Sequence, residues 1–400
     1  MNQQSSLLKG ISTLLLFTVC VLYLQGAWGI GTIGLVIFVL WLAFTILAYG
    51  KQLTSILGQR RFFLLFLFLI FYFFSSLFSV GLTSSFNRII AMANMLSPIL
   101  MFEIMKNKKR STRVCFIILI SSILLYDVFL SFQFQETFGI NDMRRGVELG
   151  EENHIMAIAF DICYAIALVI PAVVEIIKKT KNTPQRRFVA LLLIMSVVIF
   201  FVFLIRAQYA TAIIIVLLGV AYAFFYDKKH IFRFVLVSCI LVFLFISVLP
   251  IIVGYMGQSG KQQEIASRFE EINHVAEGNR QYAGDINARQ NLSLVSFETF
   301  FKHPIFGVNH KLDQDIHIGQ QGIGNHSEWL DSLARYGLFA FLLLYFLFDS
   351  LRRQRHEIDS GLIMFLFIIL GFLNPVLYYP QMVATFLYLP LLYQLLIKES

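Results

Sequence analysis

Arginine is the residue type in this sequence best placed to do chemistry. Five short clusters of Lys and Arg, with the two termini, hold 21 of the 32 basic residues, and eight of the remaining eleven are arginines. These eight are Arg88, Arg144, Arg145, Arg206, Arg268, Arg280, Arg289 and Arg335. A planar guanidinium makes paired hydrogen bonds to phosphate oxygens, so this excess favours a phosphate-bearing ligand. Pairing with acidic residues of the same loops is an equally open explanation for any single arginine.

Arg206 and His326 are the strongest individual candidates. Arg206 stands between two apolar runs, where a charge is expensive and is usually kept for function or for a partner. A snorkelling arginine at the membrane interface is the alternative. His326 precedes an apolar helix, and Asn325 with Glu328 has the spacing of a capping box. In the first turn the helix dipole disfavours imidazolium, which favours a neutral imidazole that can accept a proton. An ordinary histidine at the membrane interface is the alternative.

The other histidines and two intramembrane aspartates have simpler explanations. The spacings of His154, His274, His303, His310 and His317 match no common zinc pattern, so we expect no metal. Asp127 and Asp161 lie inside apolar stretches. Hydrogen bonding between helices is our preferred interpretation of the two aspartates, and a proton-coupled role is the alternative.

Twelve apolar stretches must position these residues, each long enough to cross a bilayer as a helix of about 20 residues. They cover residues 7–28, 30–49, 62–80, 89–105, 114–132, 155–177, 188–205, 207–226, 234–254, 329–348, 362–379 and 383–397. With 58% hydrophobic and 14% charged residues, the chain has too few polar side chains to cover a soluble fold. The sequence predicts an all-α, polytopic membrane protein, and the four cysteines all lie in apolar stretches, so we expect no disulfide.

Basic residues mark every second connection between these stretches. The basic connections are 51–61, 106–113, 178–187, 228–233 and 352–355. The positive-inside rule therefore places both termini in the cytoplasm. We expect a multi-pass protein of the cell membrane. Anionic lipid head groups account for the formal charge of +8, and we expect no nucleic-acid partner.

One outward connection, residues 255–325, is too long to be a simple link. Within it we predict two short helices, over 262–277 and over 286–301, the second ending at His303-Pro304. The predicted organisation is nine spans in 1–254, this large extracytoplasmic loop in 255–325, and three spans in 326–400.

Three motifs follow one another in the second half of the chain. They are Ala288-Arg289-Gln290, then Pro304-Ile305-Phe306-Gly307, then His326-Ser327 with Gly337-Leu338. In this order and spacing they resemble the membrane-embedded O-antigen ligase and polymerase superfamily, known as WaaL and Wzy. Arg206 before Ala207, and the segment 153–157, are similar to two further elements of that superfamily.

The resemblance implies a membrane glycosyltransferase architecture of the GT-C kind and metal-independent glycosyl transfer outside the cytoplasmic membrane, with no cofactor. The donor and the acceptor would be glycans carried on undecaprenyl pyrophosphate. Arg206 and Arg289 would hold the pyrophosphate, and His326 would orient or deprotonate the acceptor hydroxyl. Arg88, Arg144, Arg145 and Arg280 are the further substrate-binding candidates. A flippase and a chain-length regulator are the candidate partners of such an enzyme.

Within the superfamily we favour a polymerase of capsular, exo- or O-antigen polysaccharide. The alternative is an O-antigen ligase that transfers the chain to lipid A-core. A flippase or transporter of lipid-linked sugars is the candidate from another class, but such proteins usually keep their polar sites near the membrane midplane.

Overall fold

The structure is a computed structural model that describes residues 2–24, 31–138, 154–180, 184–207, 210–226, 232–241, 243–244, 284–308 and 327–398. Within those ranges the chain forms helices and no strands. The helices are α1 (Asn2–Leu24), α2 (Gly31–Leu57), α3 (Arg60–Met105), α4 (Arg110–Phe138), α5 (His154–Lys179), α6 (Pro184–Ala207), α7 (Ala210–Phe225), α8 (Phe232–Leu241), α9 (Gly284–Lys302), α10 (Glu328–Tyr336), α11 (Ala340–Ile358), α12 (Leu362–Leu373) and α13 (Tyr379–Lys398).

Eight helical segments in the described part of the chain are long and apolar enough to cross a membrane. They confirm the prediction of a polytopic helical membrane protein. Eight of the twelve predicted spans overlap these segments, three overlap the shorter helices α7, α8 and α12, and the sixth overlaps α5, which is not among the eight. The predicted span 329–348 is divided at Gly337 into α10 and α11. The most buried span is α13, with 83% of its apolar window inside the protein, whereas α6 has 17%. The last helix is therefore central and α6 is peripheral.

The predicted end of the eleventh span is wrong. Residues 362–379 were expected to form one helix, but α12 ends at Leu373 and residues 374–378 are not helical. Pro375 explains the break, because proline disfavours the helical conformation of the residue before it and lacks an N–H. The last helix accordingly begins at Tyr379, four residues earlier than predicted.

Gly81 divides α3 into two antiparallel arms. Its backbone has φ +79°, and Arg61 in the first arm contacts Glu103 in the second at 2.5 Å. In a straight helix these residues would be about 60 Å apart at 1.5 Å per residue. The predicted third and fourth spans are therefore two separate helical segments that meet at Gly81.

The basic connections gather at one end of the helices, which we call the basic end. Arg61 donates hydrogen bonds to Glu103 at 2.5 Å and to Ser350 at 3.1 Å. Lys106 bridges Glu103 at 2.8 Å and Glu357 at 2.7 Å. Burial alone would lower the pKa of Lys106, but hydrogen bonds and charge attraction from these two carboxylates raise it above its usual value. Lys106 therefore keeps its charge in this partly buried network.

Further contacts bring the other basic connections to the same end. Lys108 donates to Thr13 at 2.8 Å and also to Tyr49, which joins the 106–113 connection to the helix before 51–61. Lys179 donates to the carbonyl oxygen of Asp359 at 3.0 Å, and Lys178 donates to that of Ala223 at 2.8 Å. The basic connections, which alternate with other connections along the sequence, thus lie together at one end of the helices.

In the long connection 255–325, the structure describes residues 284–308. The predicted helix over 286–301 is confirmed as α9, which ends one residue before His303. The predicted helix over 262–277 lies outside the described residues.

Candidate functional site

A cavity of about 400 Å³ lies among α1, α2, both arms of α3, α10 and the segment that follows α12. It is at the end of the helices away from the basic end, because Arg88 in its wall stands seven residues after the turn at Gly81. Its charged and polar walls are formed by Arg88, Asn94, Glu328, Asp331 and Arg335, with Tyr23, Tyr72, Tyr336, Tyr378 and Tyr379. Mixed charged, amide and phenolic groups inside an apolar bundle are the strongest sign of a binding site in this structure.

Helix α10 supplies three of the charged groups in the wall. Glu328, Asp331 and Arg335 are spaced by three and four residues, so they lie on one face of the helix. Ser327 is the N-cap of α10, with an extended backbone. The predicted N-cap, Asn325, which lies outside the described residues, is therefore wrong: the helix starts two residues later than predicted, so His326 precedes it in the sequence and does not belong to its first turn. The helix is short because Gly337, at φ +56°, ends it before α11 begins.

Glu328 fastens α10 to the segment after α12. Its Oε2 accepts hydrogen bonds from the backbone N–H groups of Val376 and Leu377, both at 3.2 Å. Its Oε1 accepts a hydrogen bond from the Ser332 hydroxyl at 3.1 Å. The carboxylate thereby satisfies two backbone donors that the break at Pro375 leaves without helical partners.

Asp331 fastens α10 to α9. Its Oδ1 accepts a hydrogen bond from the hydroxyl of Ser296 at 2.6 Å, and its Oδ2 accepts one from the N–H of Ser327 at 3.2 Å. Ser296 is fully buried, at 0% exposure. Asp331 therefore holds the N-terminus of α10 and positions α9 beside it.

Arg335 lies on the same face, one turn beyond Asp331. The side chain is half-buried and interacts electrostatically with the carboxylates of Glu328 and Asp331. The spacing of four residues within α10 would favour a simple Asp331–Arg335 pair. In addition to both carboxylates, the guanidinium interacts electrostatically with Tyr336 and Tyr378. Its Nε atom is buried and has no hydrogen-bond partner among the described residues.

Two turns that carry the sequence motifs are interlocked. The N–H of Leu338 donates to the carbonyl of Pro304 at 2.7 Å, and the N–H of Val308 donates to that of Ala334 at 3.1 Å. Gly307 and Gly337 both have positive φ, at +65° and +56°. A Cβ at either glycine would lie 2.2–2.5 Å from a backbone oxygen of the opposite turn. Only glycine fits at both positions.

The contacts of α9 with α10 also fix their relative direction. Ser296 meets Asp331, and eight residues later Pro304 meets Leu338, so the two segments advance in the same direction. Arg289 stands two helical turns before Ser296 in α9. Its backbone is therefore towards the N-terminal end of α10, where the chain arrives from His326.

Of the seven predicted site residues, the structure describes the side chain of Arg88 alone, and that side chain lines the cavity. Arg206 is in the last turn of α6 and Arg289 is in α9, but their side chains lie outside the description. His326, Arg144, Arg145 and Arg280 fall outside the described residues. The predicted meeting of His326, Arg206 and Arg289 stays a prediction.

Sequence reasoning missed Glu328, Arg335, Asn94 and the tyrosines as components of one site. Glu328 was assigned to helix capping and Arg335 to a local ion pair, because the local spacing fits both roles. One feature of the sequence could have indicated the site: three of the nine residues of α10 are charged, although the helix begins an apolar segment. Asn94 inside the apolar fourth span was a second signal.

Comparison with known proteins leaves the family of this chain open. The sequence matches no protein-family model, and no curated protein matches it at a significant level. A functional assignment therefore rests on the residues themselves and on their geometry.

Proposed function

We propose that this protein is a metal-independent membrane glycosyltransferase that polymerises oligosaccharide repeat units carried on undecaprenyl pyrophosphate. The product is a capsular, exo- or O-antigen polysaccharide. The active site faces the outside of the cytoplasmic membrane, because the positive-inside rule assigns the basic end to the cytoplasm and the cavity is at the opposite end.

The observation that carries the proposal is the cavity beside α10, with Arg88 and Arg335 in its wall. The residue directly before Ser327, where α10 is capped, is His326. Two motifs on which the superfamily resemblance depends, Pro304–Gly307 and Gly337–Leu338, interlock against this helix. Residues that are far apart in sequence thus meet around one polar cavity, as an active site requires.

In the proposed reaction, a hydroxyl oxygen of the acceptor sugar attacks the anomeric carbon of the donor. The new carbon–oxygen bond forms as the bond between that carbon and the diphosphate breaks. The hydroxyl proton passes to a base, for which His326 is our candidate. The electron pair of the broken bond leaves with undecaprenyl pyrophosphate.

Charge on the leaving diphosphate grows as the anomeric bond breaks, so cations near it stabilise the transition state. Arg206 and Arg289 are our candidates for this role, assisted by Arg144 and Arg145. Arg88 and Arg280 are candidates for binding other parts of the substrate. In the proposal, arginine side chains alone stabilise the leaving diphosphate, without a metal ion.

Glycan length in living cells tests the proposal. Cells that lack the protein, or carry His326→Ala, should make glycans of one repeat unit only and accumulate that unit on its lipid outside the membrane. Full-length chains held on the carrier lipid would indicate ligation instead. Repeat units stranded on the cytoplasmic side would indicate a flippase, and normal surface polymer in both strains would refute the proposal.

A further inference from the structure

We infer that the cavity beside α10 binds a sugar ring of the lipid-linked glycan and not its diphosphate. This inference rests on the proposed function for the identity of the glycan. It assigns Asn94 and Arg335, neither of which the sequence predicted as a site residue, to the recognition of sugar hydroxyls. The charges, the unpartnered polar atoms, the aromatic walls and the volume of the cavity support it in turn.

Among the residues that the structure describes, the charges of the cavity wall are balanced. Arg88 and Arg335 bring two positive charges, and Glu328 and Asp331 bring two negative ones. A diphosphate group is strongly anionic and is held by an excess of cations, whereas carboxylates in the same wall repel it. A sugar hydroxyl is neutral, so a wall with equal numbers of cations and anions suits it better.

Two buried polar atoms in the wall are without hydrogen-bond partners in the described part of the chain. They are the Nε–H donor of Arg335 and the Oδ1 acceptor of Asn94, whose side chain is 5% exposed. Leaving such groups unsatisfied is costly. A phosphate oxygen accepts from Arg335 but cannot donate to Asn94. A hydroxyl both donates and accepts, so the hydroxyls of one sugar ring match the chemistry of both atoms. Because both atoms are fully buried, the two side chains must turn towards the cavity to make these bonds.

Aromatic rings form another part of the wall. Tyr72 and Tyr336 pack edge to face with centroids 5.6 Å apart, and Tyr23 packs on Tyr379 at 5.0 Å. A tyrosine ring offers an apolar face beside a polar hydroxyl. A sugar ring has the matching combination of C–H faces and hydroxyl edges, whereas a diphosphate has no apolar face to bury.

The volume of the cavity sets the size of its occupant. At about 400 Å³ it is at the lower end of small-molecule pockets, which span roughly 300–1,000 Å³. A short sugar segment fits in such a space. A long polyprenyl chain or a growing polymer does not, so both must extend outside the cavity.

The test uses purified full-length protein in lipid nanodiscs and two soluble probes. The first is a set of short oligosaccharides released from the surface polysaccharide of the source organism, and the second is inorganic pyrophosphate. Binding is followed by saturation-transfer NMR on the oligosaccharides. We expect the oligosaccharides to bind the unmodified protein and pyrophosphate not to displace them. Displacement by pyrophosphate, or no oligosaccharide binding at millimolar concentration, would overturn the inference.

Variants locate the binding. Asn94→Leu and Arg335→Met should each weaken oligosaccharide binding about tenfold or more, as expected when a buried hydrogen bond is lost. Asn107→Leu is the matched control, because Asn107 is at the basic end, where it donates to the carbonyl of Glu103. Folding of each variant is checked by size-exclusion chromatography. Equal affinities for Asn94→Leu and Asn107→Leu would also overturn the inference.

The outcomes separate this inference from the proposed function. Oligosaccharide binding that depends on Asn94, together with normal polymer in cells lacking the protein, would keep the sugar site and reject the polymerase. Loss of polymer in those cells, together with displacement of the oligosaccharides by pyrophosphate, would keep the polymerase and reject the sugar site.

Discussion

Leu338 donates its backbone N–H to the carbonyl oxygen of Pro304 across 2.7 Å, although the two residues are 34 positions apart in the sequence. This bond joins the turn after α9 to the break between α10 and α11. Because α10 carries Glu328, Asp331 and Arg335 into the cavity wall, the interlocked turns determine where these charges stand. Predictions about the site therefore begin at this junction.

Alanine at Gly307 or at Gly337 should displace α10. Each glycine has positive φ, and each Cβ would overlap backbone atoms of the opposite turn. Backbone strain and overpacking together should lower the free energy of unfolding by about 2–5 kcal/mol. Thermal unfolding of the purified variants, followed by fluorescence, measures the loss.

Gly10→Ala is the control for this pair. Gly10 lies in α1, and a Cβ there would have nothing within 4 Å. We expect its unfolding temperature to stay at the wild-type value or to rise slightly. The interlock would be unimportant if Gly307→Ala and Gly337→Ala behaved like Gly10→Ala.

Ser296→Ala should loosen α9 from α10. The lost hydrogen bond runs from a buried hydroxyl to a carboxylate and should cost about 1.5–3 kcal/mol. Limited proteolysis of the extramembrane segment around α9 should become faster. The matched control is Ser293→Ala, in the same helix but partly exposed. Equal cleavage rates in the two variants would argue against a fastening role for Asp331.

Glu328→Ala and Glu328→Gln should differ. Alanine leaves the N–H groups of Val376 and Leu377 unsatisfied and no longer holds the segment after α12 against α10, so polymer should be lost. Glutamine keeps an oxygen that can accept both bonds, so we expect shortened but detectable polymer. Glycan length on gels, corrected for protein amount, gives the comparison. Complete loss with glutamine would mean that the charge of Glu328 matters more than its hydrogen bonds.

Arg61→Met should destabilise the protein without changing its chemistry. Arg61 is 2% exposed and forms its ion pair with Glu103 at the basic end, away from the cavity. Removing Arg61 takes one of two cations from the buried carboxylate of Glu103, which Lys106 still contacts. The cost should therefore be below the about 3–5 kcal/mol of breaking an isolated buried pair. We expect less folded protein in the membrane but unchanged polymer length per folded molecule. Altered length at equal protein amount would show that the two ends are coupled.

Much of the fold was predictable because its signals are local. Apolar stretches separated by basic connections located the helices, and His303-Pro304 located the end of α9. The turn at Gly81 falls between two predicted spans. Each of these features depends on residues that are neighbours in the sequence.

The missed part of the site depends on contacts between distant residues. Glu328 binds backbone groups 48 and 49 positions away, and Ser296 is 35 positions from Asp331. Spacing within α10 gives no information about such partners, so capping and local pairing were the natural interpretations. The break at residues 374–378 had a local signal in Pro375, but Glu328, which accepts hydrogen bonds from its backbone N–H groups, is distant in the sequence.

Polymerisation by the purified protein tests the central claim most directly. Full-length protein in nanodiscs would be mixed with lipid-linked single repeat units extracted from cells that lack it, and product length would be read on gels. We predict a ladder of longer lipid-linked chains with the wild-type protein and none with His326→Ala, without added metal. Single repeat units left unchanged by folded wild-type protein would contradict the assignment.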